Sequence, residues 1–331
     1  MTTELATVQA ANHERQKLPW LRFAPPAFLV VVVLVRGHLI ALISSHPAIS
    51  AWFTVLVSIS LQALPFLVLG VVLSACVRTF VSPTALTRWL PRSPTLAVPV
   101  AALSGALLPG CECASVPIAG SLVSRGVRPA IAFTFLLAAP AINPVVLVST
   151  SVAFAGQPQV VLARFVGSLL TSVVVGWVWL RLGRDSLIRM PARHILAKSR
   201  LGTFVGEARH DMLHAGGFLV VGAAVAATIN VVVPRAWLDV LGGSLVSSVL
   251  VLAVFAVIVA ICSEADAFVA ASLTQFPLTA RLVFMVVGPV IDVKLFSMQV
   301  GTFGRRFATR FAPLTLVVAV VVATAVGTVL M

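Results

Sequence analysis

The chain has 331 residues, 60% of them hydrophobic and only 10% charged, with a mean hydropathy of +1.08. Soluble domains carry roughly 25% charged residues, so this inventory cannot make a water-soluble surface. The formal net charge of +13 sits between apolar runs and no RNA- or DNA-binding motif accompanies it, which points to the positive-inside rule and away from nucleic acid as a partner.

Residues 1–23 are polar and of mixed charge (Glu4, His13, Glu14, Arg15, Lys17), and no small-residue cleavage site follows the next apolar run. This reads as a cytoplasmic tail, not a secretory leader. A first span is predicted over 24–43, with Arg36 snorkelling or facing the bundle, and a second over 52–77. The stretch 97–123 is broken in its middle by Pro109, Gly110 and Pro117. Spans follow over 130–154 and 160–180. Residues 184–211, with Arg184, Arg189, Arg193, Lys198, Arg200 and Arg209, read as a basic cytoplasmic linker; His194, His210 and His214, in or next to it, read as facing solvent or lipid headgroups. The second half offers spans over 213–233 and 282–301, a broken stretch over 245–273 and a last span from Pro313. Trp52, Trp89, Trp177, Trp179 and Trp237 fall near span ends and read as interface anchors. Arg164 is expected near the outer interface or paired within the bundle.

Charge orients the chain. With the N-terminus inside, full crossing by 97–123 would put the basic linker outside, against the positive-inside rule. Entry and return as a hairpin keeps Arg125, Arg128 and the linker inside. Each arm of about 12 residues makes roughly 18 Å of helix, about half a bilayer. The expectation is an all-α polytopic protein of the plasma membrane, with about seven full spans and two broken or re-entrant helical hairpins.

The halves also match each other. Leu61–Gly70 reads LQALPFLVLG and Leu213–Gly222 reads LHAGGFLVVG, while Pro140-Ala-Ile-Asn143 is answered by Pro289-Val-Ile-Asp292 and the same spacing sets Cys113 on Cys262. Under the orientation above the two copies run in opposite senses. Residues 52–183 and 212–331 thus read as inverted repeats, an architecture whose sites lie at the midplane between broken segments.

The residues able to carry chemistry gather at those breaks. Cys111, Glu112 and Cys113 stand at the first, Cys262, Glu264 and Asp266 at the second. Ionisable groups at membrane depth cost about 2.5–3.5 kcal/mol each on insertion scales, so their presence points to function. Thiolates suit soft ions, and carboxylates add oxygen ligands. Cys111, Cys113 and Cys262 are therefore candidate transient metal ligands. Asn143, Pro144, Asp292 and Lys294 are candidate walls of the same site, and Asp292 with Lys294 can also neutralise each other locally. Free backbone groups at the tips also suit an anion. Cys76 reads as a small buried hydrophobe. The four cysteines do not make a disulfide framework.

The runs GCECASVP from Gly110 and AAPAINPVV from Ala138, with CSEADAFVAASL from Cys262 and GPVIDVKL from Gly288, resemble the predicted-permease family that includes the organoarsenical efflux permease ArsP. The resemblance covers nearly the whole chain from Trp52. It implies a multi-span permease whose motif positions here are Cys111, Cys113, Cys262, Asn143, Pro144 and Asp292. Glu112 makes this motif more acidic than an arsenical exporter's and makes a metal cation a rival substrate.

Together these features predict a permease, not an enzyme: no HExxH, GxSxG or nucleotide-binding motif is present, and no cofactor is called for. The expected substrate is a thiophilic metal or metalloid species; an anion or organic solute stays open. The expected partners are the lipid bilayer and a homo-oligomer or small accessory membrane protein. The alternative is a membrane subunit or sensor that recruits a soluble partner through its basic linker.

Overall fold

The computed structural model describes residues 47–80, 91, 93–107, 112–183, 185–188, 200–232 and 244–331. The tail, the expected span over 24–43, Cys111, Trp89, Trp237, and residues 184 and 189–199 of the basic linker, His194 among them, lie outside the described residues. Among the described residues all regular structure is helical. In chain order the helices are α1 (Pro47–Phe80), α2 (Pro94–Ser104), α3 (Glu112–Ser124), α4 (Pro129–Ile142), α5 (Pro144–Ala153) and α6 (Pro158–Leu182). There follow α7 (Arg200–Val232), α8 (Leu245–Val259), α9 (Asp266–Ser272), α10 (Leu278–Val287), α11 (Val293–Phe303) and α12 (Arg305–Leu330). Among the described residues, five stretches are long and apolar enough to cross a bilayer: Pro47–Val77, Pro129–Ala153, Pro158–Leu182, Arg200–Thr228 and Arg305–Leu330.

Local chemistry sets the helix starts. Proline opens α2, α4, α5 and α6 at the first helical position, where its missing N–H costs nothing. Ser244 and Ser247 form a reciprocal capping box at α8. Ala260 ends α8 in the left-handed region, at φ 51°.

The breaks are where polar side chains take over from the backbone. Asn143, preceding Pro144, is extended and cannot continue α4; its side chain accepts a bond from Val146 N at 3.0 Å and starts α5. In the second half, the span expected to run unbroken over 282–301 is two helices. Gly288-Pro289 stops α10 because proline has no N–H to extend the ladder, and Asp292 restarts the chain by accepting from Leu295 N.

Two boundaries differ from the sequence reading. Helix α7 begins at Arg200, so the last twelve residues read as linker are helical; Asp211 is buried there and accepts a hydrogen bond from Ser74 of α1 at 2.9 Å. Helix α12 begins at Arg305 and runs through Pro313.

Trp52–Met331 form one compact unit. Within it α4 packs on α2, α3 and α6, and α10 packs on α8, α9 and α12. Helices α6 and α12 pack on each other, α3 meets α11, α5 meets α9, and α7 lies along α11. Trp177 donates to Thr95 O at 3.1 Å near the end of α6. Trp179, expected as an anchor, is instead buried among Phe133, Phe307 and Phe311, because α4, α6 and α12 meet at its position. Large apolar residues such as Val57, Leu61, Val68, Val317 and Val321 are exposed, as a lipid-facing surface requires.

Without a hydrophobic force between helices in lipid, small residues set the close contacts. A Cβ added at Gly70 would stand 2.4 Å from Ala114 Cα, and one at Gly222 would stand 2.8 Å from Lys294 Cα. These two glycines hold α1 and α7 against the starts of α3 and α11. Gly70→Val is therefore expected to overpack by about 1–3 kcal/mol or more and to lower the thermal midpoint of the purified protein. Gly217→Ala, with nothing within 4 Å of the added carbon, should leave it unchanged or slightly raised.

Candidate functional site

The starts of three helices and the turn between α8 and α9 converge on a buried cluster of charge and sulfur. Glu112 is the first residue of α3 and Asp266 the first of α9; Asp292 caps α11 and Lys294 is its second residue. Negative groups in a first helical turn meet the positive end of the helix dipole. That local gain favours carboxylates at these positions in an otherwise apolar bundle.

Two cations organise the cluster. Lys294 has no solvent exposure; its Nζ is paired with Glu112 Oε1, lies 3.8 Å from Asp292 Oδ2 and donates to Cys262 Sγ at 3.9 Å. Cys113, also fully buried, lies within electrostatic reach of the same ammonium. Arg164 likewise has no exposure. Its Nη1 donates to Thr150 Oγ1 at 2.7 Å, and its Nη2 donates to Asp266 Oδ2 at 2.7 Å and to Ser263 O at 3.0 Å. The Cys262–Asp266 turn is thus held at one end by Lys294 and at the other by Arg164. Glu264, half-buried within that turn, interacts with Glu112, Lys294 and Arg164.

Four carboxylates face two cations here. Among the described residues neither oxygen of Glu264 finds a hydrogen-bond donor, nor does Asp266 Oδ1. Buried oxygens left in this state cost about 1–3 kcal/mol each, so the cluster has spare capacity to bind positive charge or a donor. Among the described residues no three His, Cys, Asp or Glu side chains converge as a ready-made metal site.

Of the residues singled out from sequence, the structure brings Glu112, Cys113, Cys262, Glu264, Asp266, Asp292 and Lys294 together. Cys111 lies outside the described residues. Asn143 is buried but is used as a helix cap, donating to Ala139 O at 3.3 Å besides accepting from Val146 N. Pro144 is exposed at the start of α5. Cys76 is half-buried. The pairing of Asp292 with Lys294 is real but secondary, since Glu112 is the closer partner. Arg164 pairs within the bundle, at the cluster itself; its isolation on an apolar helix with no acidic residue in the same span was the available signal. His214 is half-buried and pairs through Nε2 with Gly301 O at 2.8 Å, because α7 lies along α11 there.

Buried paired charge at helix breaks, inside a bundle with lipid-facing apolar walls, defines a polytopic membrane protein of the permease class. The chain belongs to the predicted-permease family ArsP_1, whose model matches residues 48–328. It is 34% identical over 278 residues to the UPF0718 protein YcgR of Bacillus subtilis, covering 82% of this chain and 94% of that protein. It is 28% identical over 282 residues to a Streptococcus mutans protein named as a two-component membrane permease complex subunit, with the same coverage of 82% and 94%. No solved structure matches the chain.

Removing Arg164 alone strands Asp266 without its partner, and breaking a buried pair costs about 3–5 kcal/mol. Arg164→Met is expected to lower the thermal midpoint sharply. The double variant Arg164→Met/Asp266→Leu should recover much of the loss, and a thermal-unfolding double-mutant cycle reads the coupling.

Proposed function

We propose that this permease moves a thiophilic metal or metalloid species across the plasma membrane, through a cysteine and carboxylate site between two inverted repeats. The observation that carries the proposal is the setting of Lys294. A positive group already rests among two carboxylates and a thiol, with a second thiol in reach, and these groups come from both halves of the chain. A soft cationic or electrophilic substrate would compete with the ammonium for the same partners. Cys111, Cys113 and Cys262 supply sulfur, and Glu112, Glu264 and Asp266 supply charge. Thiolates suit copper(I), zinc, cadmium and trivalent arsenic, and oxygens alone would not select these.

The packing supports the repeat reading. Exchange of α2, α3, α4, α5 and α6 for α8, α9, α10, α11 and α12 turns each contact named above among these ten helices into another of the set: α2 on α4 into α8 on α10, and α3 on α11 into α9 on α5. Asn143 and Asp292 cap equivalent helices after equivalent prolines. The two domains of this account are 52–183 and 212–331, with 97–123 and 245–273 as the re-entrant hairpins, the N-terminus cytoplasmic and about seven full spans. No nucleotide-binding motif is present in the sequence, so transport draws on an ion gradient or on a partner.

The name of the Streptococcus mutans relative favours a second reading: a subunit that works with another membrane or soluble component. The basic segment over 184–211 is the natural contact. Neutralising its arginines would abolish function under that reading and spare it under the first.

Cellular metal content by elemental mass spectrometry separates the outcomes. Cells expressing wild type, the Cys111→Ser/Cys113→Ser variant or no transporter are challenged separately with zinc, copper, cadmium and methylated arsenite. Wild type alone is expected to change the content of one species, by several-fold. Agreement between wild type and variant for every species would sink the thiophilic reading and leave an anion or organic solute in its place.

A further inference from the structure

Two cavities lie side by side where α6 ends and α12 begins, apart from the charge cluster. The first, about 600 Å³, is lined by Ser186, Gly304, Arg305, Arg306 and Thr309. The second, about 480 Å³, is lined by Val178, Trp179, Leu182, Gly183, Arg310 and Leu314. Leu187 borders both. One cavity is therefore cationic and hydroxyl-bearing, and its neighbour is a mostly apolar groove.

The charge is unspent. Arg305, Arg306 and Arg310 are exposed and make no ion pair among the described residues. In sequence, Asp185 is the one acidic residue of segments 181–189 and 304–314, which also carry Arg181, Arg184 and Arg189 beside these three. The groove has its own unused features. Leu182 is 78% exposed, and Trp179, only 6% exposed, has an indole Nε1 without a hydrogen-bond partner. A Cβ at Gly183 would stand 2.7 Å from that nitrogen, so glycine is what lets the chain pass this close to the indole at the groove's edge.

We propose that this end of the bundle binds one anionic phospholipid, with its phosphate on Arg305 and Arg306 and an acyl chain along Val178, Leu182 and Leu314. Guanidinium groups suit phosphate oxygens by their fork geometry. Basic pockets between membrane helices are suited to such headgroups. A free phosphate would use the arginines but has no use for an adjoining apolar groove, and a zwitterionic lipid would use the groove but gain less from the arginines. The site depends on the chain spanning a membrane, not on what the permease carries.

Native mass spectrometry of the detergent-purified full chain tests this with phosphatidylglycerol, phosphatidylcholine of matched chains, and inorganic phosphate. Wild type should retain phosphatidylglycerol in preference to phosphatidylcholine, and millimolar phosphate should not displace it. Arg305→Gln/Arg306→Gln should weaken retention roughly 30-fold, from about 1 kcal/mol per basic residue. Leu182→Asn, at an exposed position, should weaken lipid retention while leaving any phosphate binding unchanged. Arg200→Gln/Arg209→Gln, on the exposed face of α7, should change nothing. Equal retention of both lipids, full displacement by phosphate, or equal weakening by the α7 variant would each overturn the proposal.

Discussion

A lysine and an arginine with no solvent exposure, Lys294 and Arg164, cannot be left unpaired in an apolar bundle, and the structure around them follows from that demand. Desolvating such a charge costs several kcal/mol, and only well-placed opposite charges and hydrogen bonds offset it. Lys294 draws in Glu112, Asp292 and Cys262; Arg164 draws in Asp266, Thr150 and the Ser263 carbonyl. These partners lie on α3, α5, α9, α11 and the turn before α9. Satisfying two cations therefore ties the first half of the chain to the second inside the bundle.

The helix breaks serve the same end. A continuous helix would spend its backbone groups on itself and carry side chains past the centre. Stopping α4 at Asn143 and α10 before Gly288-Pro289 exposes backbone that Asn143 and Asp292 then cap. Irregular backbone at this depth is tolerated where protein or a water-filled cavity surrounds it. In the second half, Asp292 does both jobs at once, capping α11 and facing Lys294. Gly70 and Gly222 let α1 and α7 close over the starts of α3 and α11 with almost no intervening space.

Much of this was legible in the sequence, because the membrane leaves few options. Long apolar runs, paired Pro-Ala-Ile-Asn and Pro-Val-Ile-Asp motifs, and acidic residues beside cysteines at Gly and Pro breaks located the cluster without coordinates. What escaped was what depends on contacts between distant segments. Pairing of Arg164 within the bundle was one of two expectations and is what is found, but its partner Asp266 could not be named because it lies in the other half of the chain. Residues 282–301 looked like one span because Asp292 and Lys294 are few among apolar neighbours, and the cap at Asp292 shows only in three dimensions. Residues 200–211 looked like linker because charge dominates them, although Asp211 is buried against Ser74. Trp179 was read as an anchor from its place near a span end, yet the phenylalanines of α4 and α12 enclose it.

The central claim is that the thiols and carboxylates around Lys294 form one substrate site. Thermal unfolding of the purified chain titrated with cadmium tests it directly, since a ligand that binds only the folded state raises the midpoint as its concentration passes its dissociation constant. The account predicts a rise in wild type, its loss in Cys113→Ser/Cys262→Ser, and a larger rise at lower cadmium in Lys294→Gln, where the competing ammonium is gone. An identical rise in all three proteins, or none in any, would contradict it.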